Sequence, residues 1–422
     1  MTFKQHIVRI ISFYHIFRQW KRLAKQAKNS NYQPSENPVL VLVPCDPWSV
    51  GGSRGDEAML TAVIDQYRHR YPNIPIYIIC AEEGKGYIQN LPIKDIHPVS
   101  SWNGNYPLEK ICNDIASKRP TDVIVLGADC IDGHYSPSVS LMLVSIFDIC
   151  KNFSGMSSKM MGFSFNDHPS KLMILALKSL ARDVCMNLRD ELSLMRYREK
   201  VGGASRLVAD AAFMLNPQYD FQLYYEVKHW IESQRNNGQT IIGLNFHPML
   251  RSYSGPEDIK SDAILLAKNV AQIMIEHPEV SFVFIPHDDR SNITDNLMLS
   301  TMYEYLSSDK IYYSPAVPRA SQLKALCGLV DGLISSRMHL AIAALGMQVP
   351  VMAATYQDKF EGLFRHFDLD EKYLMSSQCF LSPSMVETFR DFLKEISTLR
   401  QHIAEKLPYV VAQSHLNLSD NE

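Results

Sequence analysis

No stretch of this chain approaches the run of ~20 apolar residues that crosses a bilayer as a helix, so a transmembrane protein is not expected. None of its eight cysteines (Cys45, Cys80, Cys112, Cys130, Cys150, Cys185, Cys327 and Cys379) falls in a C-x-x-C pair. That spacing argues against a zinc ribbon or a disulfide framework, and the expectation is a reducing, cytosolic compartment with most thiols in the core. A charge excess is missing too: 42 Lys and Arg stand against 45 Asp and Glu. With no basic patch interleaved with aromatics, nucleic acid is not an expected partner. Low-complexity segments and short repeats are absent. What remains, 46% hydrophobic and 21% charged residues over 422 positions, suits a soluble globular enzyme of two or three domains.

One local absence is informative. Residues 1–29 carry Lys4, Arg9, Arg18, Lys21, Arg22, Lys25 and Lys28 and no acidic residue. Phe3, Ile7, Ile10, Tyr14, Phe17, Trp20 and Leu23 recur at helical spacing and make an apolar stripe. Aromatics on one face and cations on the other describe a helix lying in a membrane interface. A helix packed on a partner subunit and a transit peptide are the competing readings. A signal peptide is not expected, because charges interrupt the apolar run and no small-residue cleavage site follows. The expectation is a cytoplasmic protein held peripherally on the cytoplasmic membrane face, with residues 1–30 touching anionic lipid. Residues 29–37 (NSNYQPSEN) read as a linker.

From residue 38 strands and helices alternate. The apolar run 38–44 reads as a strand buried on both faces. Further strands are expected at 74–80, 122–127, 159–165, 183–190 and 207–213, with helices from Asp56, over 108–117 and over 138–153. After a bridging helix at 221–234 the pattern restarts. Strands at 240–246, 280–286, 311–314, 332–335 and 350–354 alternate with helices at 259–276, 295–306, 321–327 and 338–345. Two such sets imply two Rossmann-like domains with parallel sheets, facing across an interdomain cleft. The expected division is 1–37 helix and linker, 38–220 first domain, 221–382 second domain, and 383–422 a tail of two helices (383–396 and 401–413).

The most informative stretch is Asp331-Gly-Leu-Ile-Ser-Ser-Arg-Met-His-Leu-Ala-Ile-Ala-Ala-Leu-Gly346. A short strand ends in two serines, and a helix opens with Arg337 and His339. Ser335 or Ser336 is expected to cap that helix. A capped helix start is an anion site, Arg337 adds a fork suited to carboxylate or phosphate, and His339 titrates near neutral pH. The alternative for Arg337 is a structural ion pair. The loop Gly51-Gly-Ser-Arg-Gly-Asp-Glu57 is neither a Walker A loop nor a G-x-G-x-x-G. Its glycines allow close ligand approach, while Asp56 and Glu57 can simply complement a helix dipole. Arg189, Asp210, Asn245, His247, His287 and Asp288 all fall at expected strand tips. Strand tips are where open α/β sheets bind ligands.

Taken in order, Gly-Asp-Glu-Ala-Met-Leu (55–60), Val-Ile-Val-Leu-Gly (123–127), Leu-Arg-Asp-Glu-Leu-Ser (188–193), Val-Ala-Asp-Ala-Ala-Phe (208–213), Ser-Ser-Arg-Met-His-Leu-Ala-Ile-Ala-Ala-Leu-Gly (335–346) and Thr-Tyr-Gln-Asp-Lys (355–359) resemble the polysaccharide pyruvyltransferase family. The likeness spans roughly residues 39–367; the R-x-H helix with the following Tyr-x-x-Lys is its most specific part. Two departures stand out: Gly127-Ala128 where a glycine pair is usual, and Ser53 where asparagine is common. The resemblance implies a GT-B-like fold and transfer of enolpyruvate carbon from phosphoenolpyruvate to two hydroxyls of one sugar, giving a cyclic pyruvate ketal and phosphate. No metal-ligand set is evident in the sequence, the reaction does not formally require a metal, and no cofactor is expected.

That chemistry assigns expected roles. His339 delivers a proton to the donor's methylene carbon and Arg337 completes the catalytic pair. Arg189, Lys359, Ser336, His168, Asp56, Gly55, Asn245 and His287 form the expected substrate-binding set. The acceptor is expected to be a polyprenyl-diphosphate-linked sugar in capsular, exopolysaccharide or cell-wall glycan assembly. Two rivals stand beside this reading: a GT-B glycosyltransferase using a nucleotide sugar, and a non-catalytic, membrane-docked assembly subunit.

Overall fold

A computed structural model describes residues 3–91, 93–104, 106–180, 184–248, 255–288, 294–355 and 359–419, with side chains described from residue 10. The chain divides into two compact units. Met1–Gly52, Met59–Met214 and Ala412–Glu422 form the first; Ser53–Ala58 and Leu215–Val411 form the second.

The first unit is built on strands β1 (Leu40–Val43), β2 (Ile76–Cys80), β3 (Ile96–Ser100), β4 (Asp122–Val125) and β5 (Ser157–Met160), all parallel, in the order β3-β2-β1-β4-β5. Every residue of β1 is buried, as its unbroken apolar run requires of a strand covered on both faces. Beyond β5, Phe163 bridges both Ala128 and Leu188 and leads to a parallel pair, β6 (Met186–Leu188) and β7 (Ser205–Leu207). The strand expected over 159–165 therefore stops at Met160, leaving Phe163 as an isolated rung. Likewise the expected strand 207–213 ends at Leu207. Asp210 Oδ1 accepts the Ala212 amide at 2.9 Å and turns the chain into a 3-10 helix, Ala211–Met214.

The N-terminal segment is a helix, Phe3–Lys28, but much of its apolar face is spent inside its own unit. Phe13, Ile16, Trp20, Leu23 and Ala27 are buried against helices Pro137–Lys151 and Leu108–Ser117. The Trp20 indole N–H donates to Asp148 Oδ2 at 2.6 Å. The stripe expected to face a membrane is thus partly a core face, rotated from the expected one. Ile10, Ile11 and Tyr14 alone of its described large apolar residues stay exposed.

The second unit repeats the plan with β8 (Thr240–Asn245), β9 (Val280–Phe284), β10 (Ile311–Tyr313), β11 (Gly332–Ser335), β12 (Val351–Thr355) and β13 (Leu374–Ser376), parallel, in the order β10-β9-β8-β11-β12-β13. Within each unit the first strand lies between the second and the fourth, which is the doubly wound Rossmann order. The two helices expected in the tail are one, Ser384–His415, continuous through Pro408. Losing a single amide there is offset by a buried row of Met385, Phe389, Phe392, Ile396, Ile403 and Val410. Residues from Ala412 belong to the first unit, where Ser414 Oγ donates to the Asp210 carbonyl at 2.7 Å and Asn417 Oδ1 accepts the Gly162 amide at 2.6 Å.

Candidate functional site

The strand order of the second sheet reverses between β8 and β11, the switch point where such sheets bind ligands. Asn245, at the tip of β8, is fully buried. Its amide nitrogen donates to the Ile285 carbonyl (2.9 Å) and to Asp295 Oδ2 (2.8 Å). Asp295 opens helix Asp295–Leu306 and also accepts the His287 amide at 3.0 Å. Arg337 closes the arrangement: Nε and Nη2 reach Asp295 Oδ1 at 3.1 and 2.6 Å, and Nη1 reaches Asp288 Oδ2 at 3.2 Å. The guanidinium is held by two carboxylates, so the ion-pair alternative describes its position. Burial raises the Asp295 carboxyl, an effect that Arg337 offsets only in part.

The expected serine cap does not form. Arg337 itself is the N-cap residue of helix Met338–Leu345, and its side chain makes no capping hydrogen bond. Ser335 Oγ accepts the Arg337 amide at 3.0 Å and Ser336 Oγ the His247 amide at 2.5 Å. Both hydroxyls are thereby used to shape the loop. The start of a helix, with its positive dipole end, is where anions are attracted.

His339 lies in that first turn, half-buried, with its ring against Gly55. A β-carbon at position 55 would stand 2.3 Å from His339 Nδ1. Gly55 is therefore the space the imidazole occupies, which is a more specific role than the expected contact with substrate. Next to it, Arg54 and Glu57 form a buried pair at 3.0 Å. Glu57 Oε1 accepts the Ala320 amide at the start of helix Ala320–Cys327 (3.1 Å), and Arg319 Nη1 lies 3.8 Å from Oε2. Arg54 Nη2 donates to the Val317 carbonyl at 3.1 Å. Burial raises the Glu57 carboxyl while Arg54 lowers it. Arg54, Glu57 and Arg319 were missed in the sequence. Their signal was available only for Glu57, the acidic residue on the inward side of the helix start; Asp56, half-buried beside it, instead donates its amide to Ser53 Oγ at 3.0 Å.

His287 completes the cluster. It is buried, and its Nδ1 has no hydrogen-bond partner among the described residues. Burial first, and then the neighbouring Arg337 and His339, holds its pKa well below 6.5, so it is neutral at pH 7. Gly55, Asn245, His287, Ser336, Arg337 and His339 thus gather in one unit, with Asp56 adjoining. Lys359 opens helix Lys359–His366 after β12, and its motif partner Tyr356 lies outside the described residues. Arg189 and His168 belong to the first unit. Arg189 is buried at the end of β6, donating to Ser164 Oγ at 2.7 Å and to Asp210 Oδ2 at 3.0 Å. Asp190 caps helix Glu191–Lys200 through the Ser193 amide at 2.7 Å. His168 is exposed in a loop, its amide donating to Asn166 Oδ1 at 2.9 Å. At the tip of β4, Gly127 leaves no room for a side chain, since a β-carbon would stand 2.7 Å from Phe163 Cβ. Ala128 follows in the left-handed region at φ 47°, where the resembled family usually has glycine.

The model of the polysaccharide pyruvyl transferase family matches residues 54–358. The chain belongs to this family. The match begins at Arg54 and takes in Gly55, Glu57, Asn245, His287, Arg319, Ser336, Arg337 and His339. No curated protein matches by sequence. Solved structures share the fold at low identity. UDP-GlcNAc 2-epimerase from Neisseria meningitidis, bound to UDP-GlcNAc, has a TM-score of 0.53 at 12% identity, covering 90% of this chain and 98% of that one. S. aureus MnaA, in a co-structure with UDP, has a TM-score of 0.54 at 11% identity, covering 90% and 94%. Sucrose-phosphate synthase from Thermosynechococcus elongatus has a TM-score of 0.52 at 10% identity, covering 90% and 97%. This polysaccharide pyruvyl transferase family member therefore has a GT-B fold of two Rossmann-like units.

Proposed function

We propose that the protein transfers the pyruvyl group of phosphoenolpyruvate to two hydroxyls of one sugar, forming a pyruvate ketal and releasing phosphate. The observation that carries this reading is the imidazole of His339, set against Gly55 at the start of helix Met338–Leu345. The donor brings a carboxylate and a phosphate. The helix start, Arg319 (32% exposed) and Arg54 meet that charge. Arg337 acts as a positioning residue, fixing where the helix starts through Asp295 and Asp288. His287, neutral, presents a ring nitrogen that can make one further bond without adding charge.

In the proposed sequence His339, as imidazolium, gives a proton to the donor's methylene carbon, and C2 becomes electrophilic. A sugar hydroxyl adds to C2 and its proton returns to the imidazole. The C2–O bond to phosphate then breaks, and the second hydroxyl adds to C2 and closes the ring. The proton of that second hydroxyl leaves with the phosphate. The acceptor class we favour is a polyprenyl-diphosphate-linked sugar in capsular, exopolysaccharide or cell-wall glycan assembly. Incubation with phosphoenolpyruvate and candidate sugars should release phosphate and yield a ketal methyl signal by NMR, and His339→Ala should abolish both. A second reading, a glycosyltransferase, is favoured by the neighbours solved with UDP or UDP-GlcNAc; release of UDP from a nucleotide sugar, with phosphoenolpyruvate untouched, would establish it instead.

A further inference from the structure

Helix Phe3–Lys28 is two-faced in an unusual way. From Phe13 onward one side is locked into the first unit by Trp20, Leu23 and Ala27, by the Trp20–Asp148 hydrogen bond, and by Arg22 paired with Glu109 at 2.7 Å. The earlier turns leave apolar surface outside: Ile10 is 43% exposed, Ile11 63% and Tyr14 62%. Arg18 lies over the Tyr14 ring, and exposed Lys25 and Lys28 follow further along the same helix, with no acidic residue anywhere in 1–29. A second element shares the character. Helix Lys171–Lys178 exposes Leu175 (66%) between Lys171 and Lys178, and has no acidic residue. Its C-terminal end is tied to the first helix, because Lys21 Nζ donates to the Ser179 carbonyl at 2.9 Å.

We propose that the outer turns of helix Phe3–Lys28, together with helix Lys171–Lys178, form a docking face for an anionic lipid bilayer. The face pairs protruding apolar side chains with cations of one sign, the combination that seats a helix shallowly among anionic headgroups. Its charge complements such a surface although the whole chain is slightly acidic, at −3. A second copy is a poor occupant. A two-fold contact would set this face against itself, basic residue against basic residue, with no acid in the first helix to relieve it. The inward half of the helix stays in the core, so docking requires no unfolding.

The test uses the full-length chain, sedimented with vesicles of phosphatidylcholine alone or with phosphatidylglycerol added. The protein should partition roughly tenfold or more toward the anionic vesicles, and high salt should release it. The double variant Ile11→Glu, Tyr14→Glu should lose that binding while its melting temperature and its turnover on a soluble acceptor stay unchanged. If that variant misfolds, the salt response and lipid preference of the unaltered protein still decide. Equal binding to both vesicle types, binding to neither, or a dimer in solution that the double variant dissolves would each overturn the proposal. Loss of turnover on soluble acceptor in the unaltered protein would count against the proposed reaction and leave the docking face unaffected.

Discussion

At the scale of single residues the site is governed by close approach. Gly55 sits where any β-carbon would strike His339 Nδ1. Gly55→Ala should leave the fold intact, since alanine is the better helix former by about 1 kcal/mol. Turnover should nonetheless fall by about 10²-fold, because a displacement of about 1 Å at a reacting group costs that much. Comparing kcat with the melting temperature of the variant checks both halves. Arg337→Ala should behave differently. It strands Asp295 in the core, and breaking a buried pair from one side costs about 3–5 kcal/mol. Urea unfolding should show that loss, and Asp295→Asn in the same chain should recover part of it; full stability of Arg337→Ala would return Arg337 to the role of a simple anion clamp. His287 adds a pH dependence. Its folded pKa is depressed well below 6.5, so the unfolded chain binds the extra proton as pH falls below that value. Stability from this group is complete above about pH 6.5 and declines below it, by up to about 1.4 kcal/mol per pH unit. Unfolding midpoints for the parent and His287→Gln should diverge between neutral pH and mildly acid pH, the parent showing the steeper loss.

At the scale of elements, what the sequence conveyed depended on whether one element's own pattern sufficed. Gly332–Ser335, Asp295–Leu306 and Met338–Leu345 fall where apolar spacing and turn residues put them. The long helix Ser384–His415 was expected as two segments with a break over 397–400; it runs unbroken, Pro408 included, because the buried row on one face is covered by the rest of the chain. The cap of Met338–Leu345 was misread because Ser335 and Ser336 face partners distant in sequence, Asn245 and His247. The first helix shows the same limit. Its stripe was legible, but a stripe does not say whether lipid, partner or its own domain covers it. The consequence is measurable: Trp20→Ala should destabilise the protein by about 3–5 kcal/mol, with Asp148 losing its buried donor as well. Thermal or urea unfolding of that variant decides; a change near zero would mean the helix is held only loosely.

At the scale of the molecule, two doubly wound sheets of like strand order and the pyruvyl transferase family match set the frame. The sequence showed this frame because strand and helix alternated twice. It did not show how the cluster is assembled, since Arg54, Glu57 and Arg319 meet only when a helix start near residue 54 joins the unit that holds residues 215–411. Nor did the R-x-H motif reveal that its arginine is held by carboxylates 42 and 49 residues earlier. The central claim, that this cluster receives phosphoenolpyruvate, is tested most directly by thermal unfolding of the full-length protein with phosphoenolpyruvate and, separately, with UDP-sugars. A ligand bound only by the native state at 100 times its Kd adds about 2.7 kcal/mol to stability. The account predicts that phosphoenolpyruvate raises the melting temperature and that UDP-sugars do not. A rise with a UDP-sugar and none with phosphoenolpyruvate would contradict it.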